Sequence, residues 1–399
     1  MKKIIKILTI LILPFASCVE ETDFVEEVEI IDAVLVVEAT ITNEYKFQEI
    51  ILSRTYNFEE EGPNPESNAQ VKLIKNGSET IVFTETVPGI YLSEFEFSAQ
   101  SNVDYQLQIT TDNGRNYASN TNQLTQTTQI DELYAERITN DLGENGMAIY
   151  VDSFDSSGNS KYYKYEYEET YKIIAPKWVP KELLVLDEIT CQVDLVDRIE
   201  DVRVCYRTDN STTINLFDTS ALSEDRVSNH EVRFISSENY IISYRYSILV
   251  KQIVQSFEAY TFYKTLKDLS EEGSLLSQTQ PGNISSNIVS TTNNNEVVIG
   301  FFEVSTITEK RLYFNYEDFY PNEDIPDFPI ACEPYEHDQF TISGNCGSLI
   351  SGLVRDRVVY HDGASIVDGL TIGPFNMVLK ACGDCTAIGE TSVPDFWED

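Results

Sequence analysis

The sequence predicts a mainly β protein. An N-terminal immunoglobulin-like β-sandwich is expected over residues 33–128, followed by a larger β-rich domain over 129–399 with one prominent α-helix. Three observations predict this. Short runs of alternating apolar residues, separated by turn signals, fill the first unit. A longer alternation rich in tyrosine opens the second. Only one stretch, 257–272, strongly repeats its apolar residues at helical spacing.

In the first unit Val34–Ile41 (VLVVEATI) is almost continuous β-former sequence, and Phe47–Leu52 and Gln70–Ile74 follow. Asn76-Gly77 is a tight hairpin signal between Val71–Ile74 and Thr80–Phe83. Pro88-Gly89 turns the chain into Ile90–Phe97, where Phe95 and Phe97 share a face. Tyr105, Leu107 and Ile109 alternate with Gln106 and Gln108, and Asp112-Asn113-Gly114 returns the chain into Asn116–Ser119. Asn57–Ser67, with Gly62, Pro63 and Pro65, reads as a protruding acidic loop. The polar stretch Asn122–Gln129 marks the domain boundary.

The second unit runs from Met147–Val151 through the turn Asp155–Gly158 into Tyr162–Tyr171. There Tyr163, Tyr165 and Tyr167 fall on one face, with Lys164, Glu166 and Glu168 on the other. The tyrosine face is either a platform for stacking sugars or the aromatic side of a sandwich core, and the core is expected. Tyr240–Ile253 continues the strand pattern. Ser256 can cap the helix Phe257–Glu272, whose apolar positions are 259, 262, 263, 266 and 269, with Gly273 as its stop. A turn at Gln280-Pro281-Gly282 precedes the strands Glu296–Val304 and Lys310–Phe314. Tyr316–Phe328 reads as an acidic loop, and Cys332–Asp399 carries four Cys and few long patterns.

Charge narrows the function classes. With 28 Lys and Arg against 66 Asp and Glu, the chain carries a net charge of −38. That excludes nucleic acid as an expected partner, since its binding rests on neutralising phosphates. It also argues against docking on anionic lipid through a basic patch. The 23 Tyr and 20 Phe are too many for a disordered chain.

The N-terminus reads as an address. In MKKIIKILTILILPFASC, Lys2, Lys3 and Lys6 precede the apolar run Ile4–Leu13, which is short of the roughly 20 residues a membrane span needs. Ala16-Ser17-Cys18 resembles the lipobox of bacterial lipoproteins, in which the signal is cut before the cysteine and its thiol carries diacylglycerol. Phe15 stands where Leu is commoner. Residues 1–17 are thus expected to be a lipoprotein signal peptide and Cys18 the lipidation site; an ordinary signal peptide with a chance cysteine is the alternative. The acidic tether 18–32 (Glu20, Glu21, Asp23, Glu26, Glu27, Glu29) resembles the export signal of surface-displayed Bacteroidota lipoproteins. Its charges also suit a plain solvated linker.

Six further cysteines remain: Cys191, Cys205, Cys332, Cys346, Cys382 and Cys385. An even count in an exported chain suggests disulfides, with 15 pairings open. A local Cys191–Cys205 bridge across a hairpin-like segment is the first expectation. Cys382-Gly-Asp-Cys385 has the spacing of a redox or zinc motif, but structural disulfides are expected in preference to either.

Catalytic signatures are missing: there is no G-x-S-x-G, no G-x-G-x-x-G and no phosphate-cradling loop. His230, His337 and His361 stand alone, and the neighbouring pairs His337-Asp338 and His361-Asp362 are expected by chance in so acidic a chain. Asp152, Asp155, Gly158 and Asn159 read as a strand-connecting turn rather than a calcium loop. No catalytic residue, cofactor or metal ligand is nominated. Paired carboxylates for glycoside hydrolysis are a spatial feature that sequence does not display.

Several segments together resemble the Bacteroidota lipoprotein family known as domain of unknown function 4249. They are the lipobox, LVVEATIT after the acidic tether, NAQVKLIKNG, TVPGIYLS, YQLQITTDNGRNY, NSKYYKYEYEETY, SFEAYTFYKTLKDLSEEGSLL, QPGNISSNI and VVIGFFEVSTITEKR. The terminal CGDCTAIGETSVPDFWED extends the resemblance to Trp397, with Gly389-Glu390 where family members usually read GG. The family brings no established catalytic residues. What the resemblance implies is a non-enzymatic, surface-exposed outer-membrane lipoprotein, lipid-anchored and facing the cell exterior. Family members are often encoded beside TonB-dependent transporters, so an accessory binding role with such a β-barrel is the expected function. A structural or adhesive envelope protein, or a carbohydrate- or peptide-active hydrolase, is the rival.

Overall fold

Alternation decides the first sheet. In Leu35–Thr42 the side chains of Leu35, Val37, Ala39 and Ile41 are buried, while Glu38 faces out. The strands Glu49–Arg54, Gln70–Lys75, Glu79–Val87, Ile90–Ser93, Tyr105–Thr110 and Asn116–Ser119 repeat the pattern, and their inward residues form a single core. Because these strands belong to one continuous sheet and feed a single core, this part of the sheet folds over on itself in a sandwich-like arrangement. Asn76 and Gly77, at φ +50° and +70°, make the expected mirror-image hairpin turn. The computed structural model describes residues 33–56, 62–271, 286–293 and 295–398. Cys18, the signal and tether, residues 57–61 of the acidic loop, Gly273 and the Gln280-Pro281-Gly282 turn lie outside the described residues. Of the acidic loop, Asn64–Pro65 lies paired along Glu49–Arg54.

Two late segments complete this sheet. Ile288–Ser290 pairs with Asn116–Ser119, and the long strand Val298–Asn315 lays its first half parallel to Leu35–Thr42, from Leu35↔Val298 to Thr42↔Ser305. Gly300 permits the approach: at φ +135°, a Cβ there would stand 2.1 Å from the Val37 carbonyl oxygen. The second half of the same strand pairs antiparallel with Arg245–Gln255, which continues into Tyr162–Ile174 and Val204–Asn210. A three-stranded sheet of Ile130–Thr139, Asn145–Phe154 and Arg226–Ser236 packs against these strands. Tyr163 and Tyr165 are buried between the layers beside Met147, Ile149 and Val151, so this face is core and not a sugar platform. The helix α1, Phe257–Glu271, starts where Ser256 Oγ accepts a hydrogen bond from the Ala259 amide at 3.1 Å.

The cysteines organise a third, smaller body. The hairpin Lys181–Asp187 and Gln192–Asp197, the helix Ser348–Val354 and a sheet of Tyr335–Glu336, Asn376–Leu379 and Val358–Asp362 share a core of Leu183, Val193, Leu349, Phe375 and Met377. The disulfides are Cys191–Cys346, Cys205–Cys385 and Cys332–Cys382. The expected local Cys191–Cys205 bridge is therefore incorrect. Cys191 sits beside the hairpin turn at φ +59° and faces the small body, whereas Cys205 belongs to a strand of the large sheet. Cys382 and Cys385 also part company, each bonding away from the other. The region expected to hold few patterns thus contains a helix and short strands, and Tyr316–Phe319 within the expected acidic loop forms a helical turn.

The C-terminal tail closes an edge. Tyr206 and Glu390 exchange backbone hydrogen bonds of 2.8 and 2.9 Å, and Trp397 packs edge-on against Tyr206 at 4.9 Å. Gly389 allows this contact, since a Cβ there would lie 2.9 Å from the Tyr206 carbonyl oxygen. Peptide mapping by mass spectrometry without reduction is expected to recover the three cross-links above; a Cys191–Cys205 peptide would contradict the fold. Removing Cys205 and Cys385 together opens a link across 180 residues. In the chain-entropy limit this costs about 5 kcal/mol, read as a lowered denaturation midpoint.

Candidate functional site

The most distinctive chemistry lies under α1, where the two halves of the long strand meet. Glu303 is 2% exposed and Lys164 8% exposed, so two ionised groups are withdrawn from water. The Lys164 ammonium stands 3.1 Å from Glu166 and 3.8 Å from Glu303, and lies over the Tyr263 ring at 4.2 Å. Glu303 also accepts hydrogen bonds from Thr40 Oγ1 at 3.2 Å, Ser305 Oγ at 3.1 Å and Gln255 Nε2 at 3.3 Å. Burial works against the charge on Lys164, but Tyr263, Glu303 and Glu166 outweigh it and raise its pKa. Burial, followed by the Glu303 charge, pushes the Tyr263 phenol up as well.

Secondary structure fixes this arrangement. Alternation puts Lys164 on the face of its strand opposite the core residues Tyr163 and Tyr165. Ala259 and Phe262 pin α1 onto Phe301, with the Phe262 and Phe301 rings 5.4 Å apart. The same helix face then presents Tyr263 to Lys164. Two open clefts flank the cluster, of about 580 and 390 Å³, and Lys164, Glu166, Lys251 and Tyr263 line both. The larger has an apolar floor of Ile253, Phe262 and Leu266, with charges of both signs at Glu38, Glu49, Lys46 and Lys251. Such a surface suits binding through mixed polar and apolar contacts.

The family model for the domain of unknown function (DUF4249) matches residues 21–311, most of the chain. The chain belongs to the DUF4249 family. The match contains both halves of the charged cluster and the whole of α1; the terminal Cys-Gly-Asp-Cys segment and the tail lie beyond it. Comparison with curated proteins finds no match.

Within this DUF4249 chain the other residues weighed from the sequence have structural partners or stand apart. His230 hydrogen-bonds Asn215 through Nε2 at 2.7 Å and packs against Tyr165 and Phe217, both at 4.8 Å. His361 lies 3.6 Å from Asp362, and His337 packs on Tyr335 in the small body. Asp155 accepts from the Ser157 hydroxyl and from the amides of Ser157, Asn159 and Ser160. Burial resists its charge, but these bonds hold its pKa down to about 2, as befits a turn. The six cysteines are all bonded. Among the described residues no group of three or more His, Cys, Asp or Glu is placed to hold a metal ion.

Sequence reasoning missed Lys164 and Glu303. Lys164 was placed only on the strand face opposite the tyrosines, and α1 covers it there. Glu303 did carry a signal: it is a lone acid inside the apolar run VVIGFFEV.

Removing one partner strands the other charge in the interior. Lys164→Met is expected to cost about 3–5 kcal/mol, while Lys164→Met with Glu303→Gln recovers a large part of that loss in urea denaturation. His230 gives a pH signature. Burial, and secondarily the Lys267 charge, lower its pKa from 6.5 to about 4. The unfolded chain then binds a proton that the folded chain refuses between these values, so stability falls as pH drops through that window. The loss is about 3 kcal/mol. The difference in denaturation midpoint between pH 7 and pH 4.5 should shrink in His230→Gln.

Proposed function

We propose that the chain is a non-enzymatic, lipid-anchored binding protein of the outer membrane, displayed on the cell surface as an accessory subunit of a TonB-dependent transporter. The observation that carries this reading is the N-terminal sequence: a short apolar signal, the Ala-Ser-Cys18 site and an acidic tether directly before the folded body. The 17 steps from Cys18 to Leu35 reach at most about 60 Å, long enough for a neighbouring barrel to be engaged without the body touching the membrane. Tethering raises the effective concentration of a membrane partner, so modest affinity suffices.

A binding role agrees with how the ionisable groups are used. Lys164, Glu303, His230 and Asp155 are held by neighbours that stabilise the fold, while the clefts beside α1 remain open and chemically mixed. The chain's net charge of −38 opposes contact with anionic headgroups, which favours a protein partner. Two measurements test the proposal. Cys18→Ala should release the protein from the membrane fraction or leave the signal uncut; normal cleavage with full membrane retention speaks against the anchor. Crosslinking in intact cells, then gentle detergent extraction and tagged pull-down, should recover an outer-membrane β-barrel in near-stoichiometric amount. Recovery of the lipoprotein alone would shift the reading to a free-standing adhesive protein.

A further inference from the structure

The loop 43–48 divides its side chains between two clefts. Glu44 and Lys46 line the larger cleft beside α1, whereas Tyr45 lines a different opening of about 510 Å³, together with Phe95 and Phe97. Tyr45, 73% exposed, is the most exposed aromatic side chain among the described residues, and Phe95 is 51% exposed. Phe97 packs on the first core and meets Phe95 edge-on, with ring centres 6.1 Å apart. Single exposed apolar residues are ordinary, but three rings around one opening make a patch. The segments that carry them are tied together from beneath. Gln48, fully buried, accepts from the Thr42 amide at 3.0 Å and donates to the carbonyl oxygens of Glu44 and Phe97, both at 2.9 Å. The Phe97 amide in turn donates to the Lys46 carbonyl oxygen at 3.0 Å. The rings are thus displayed on a fixed backbone, which lowers the ordering cost of binding.

The rest of the rim is polar and reachable. The Tyr45 hydroxyl and the side chains of Thr80, Ser98 and Gln100 make no hydrogen bond within the described residues, and all four residues are exposed or half-exposed. Between them they offer both donors and acceptors to a bound molecule. The charged groups of the lining are one of each sign, Lys75 and Glu79, which pair at 3.4 Å. Glu94, Glu96 and Asp104 stand next to lining residues in the chain, and Lys46 is held by Glu44 at 2.6 Å, so the surroundings oppose an anion. Lys75 within the lining opposes a cation. The matching ligand is neutral, with apolar faces for the rings and hydroxyls around its edge. A pyranose has both, since its axial C–H bonds form flat apolar faces and its hydroxyls radiate from the ring.

We propose that this cleft binds a neutral oligosaccharide, stacked on Tyr45 and Phe95 and hydrogen-bonded by Thr80, Ser98 and Gln100. The site is separate from the clefts beside α1 and depends on neither the membrane anchor nor the transporter partner argued above. Calorimetric titration of the full chain with cellohexaose, maltohexaose, mannohexaose and xylohexaose tests it. Hexagalacturonate serves as the anionic control and an end-capped polyproline nonapeptide as the peptide control. Saturable binding of at least one neutral hexaose is expected, with hexagalacturonate weaker by roughly tenfold or more. Tyr45→Ala and Phe95→Ala should each weaken that hexaose roughly fivefold or more while leaving the melting temperature unchanged, because these side chains are exposed. Tyr45→Phe keeps the ring and should retain most of the affinity. The idea is overturned if no neutral hexaose saturates, if hexagalacturonate binds as tightly, or if the peptide binds and no saccharide does. Unchanged affinity in Tyr45→Ala, or a loss in Tyr45→Phe equal to that in Tyr45→Ala, overturns it as well.

Discussion

The parallel pairing of Val298–Ser305 with Leu35–Thr42 is the constraint on which the rest of the molecule depends. It joins strands more than 250 residues apart, and the same long strand then pairs with Arg245–Gln255 in the opposite sense. One continuous backbone therefore belongs to both hydrophobic cores: Phe302 and Val304 pack in the first, Leu312 and Phe314 with the second. Neither unit completes its sheet without it. Gly300 sits at the close approach of the two backbones, where its missing side chain is a geometric necessity.

The joint is sealed by polar groups, which explains a stretch that looked like a linker. Thr125 Oγ1 donates to the Val254 carbonyl oxygen at 2.8 Å and accepts from the Thr306 amide at 2.9 Å. Thr306 Oγ1 donates to Gln126 O, and Thr308 Oγ1 to Thr128 O, at 2.9 and 2.8 Å. Residues in Asn122–Gln129 thus cross between the units as a hydrogen-bonded seam. Where the long strand passes from one core to the other, α1 covers its outer face, so polar side chains there must be paired internally. Lys164 and Glu303 are the charged members of that arrangement. A buried ion pair adds little net stability compared with an apolar replacement, but it penalises any register that separates the two charges. We read the cluster as a device that fixes how α1 and the long strand meet, with the clefts beside it as the surface this fixed geometry displays.

Local rules made much of this fold legible. Val34–Ile41, the Asn76-Gly77 hairpin, the Tyr105–Ile109 alternation and the Ser256-capped helix all depend on residues close in sequence, and each is present. What escaped depends on distant residues. Glu296–Val304 and Lys310–Phe314 were read as separate strands; Ser305, Thr306 and Thr308 between them are polar, yet they are buried because the seam satisfies them. The disulfide pairing was equally hidden, because Cys205 and Cys385 meet only after the tail has folded back along the strand Val204–Asn210. Of the charged cluster, only Glu303 in its apolar run could have been suspected; Lys164 looked like any alternating polar residue until a helix covered it.

The distribution of cross-links bears on how such an acidic chain holds together. A net charge of −38 opposes compaction through self-repulsion, and small bodies with little apolar core suffer most. All three disulfides involve the small C-terminal body or its junction with the large sheet, and Cys205–Cys385 lies inside the second large core, where both residues are fully buried. The covalent links therefore fasten the C-terminal segment to the rest of the molecule. Such bonds form and persist in oxidising compartments. The edge protected by Glu390 and Trp397 follows the same logic: the tail that Cys385 fastens is the one that covers an otherwise unpaired strand. Closing that edge matters for any β-rich chain, since an open strand there would pair with whatever neighbour came first.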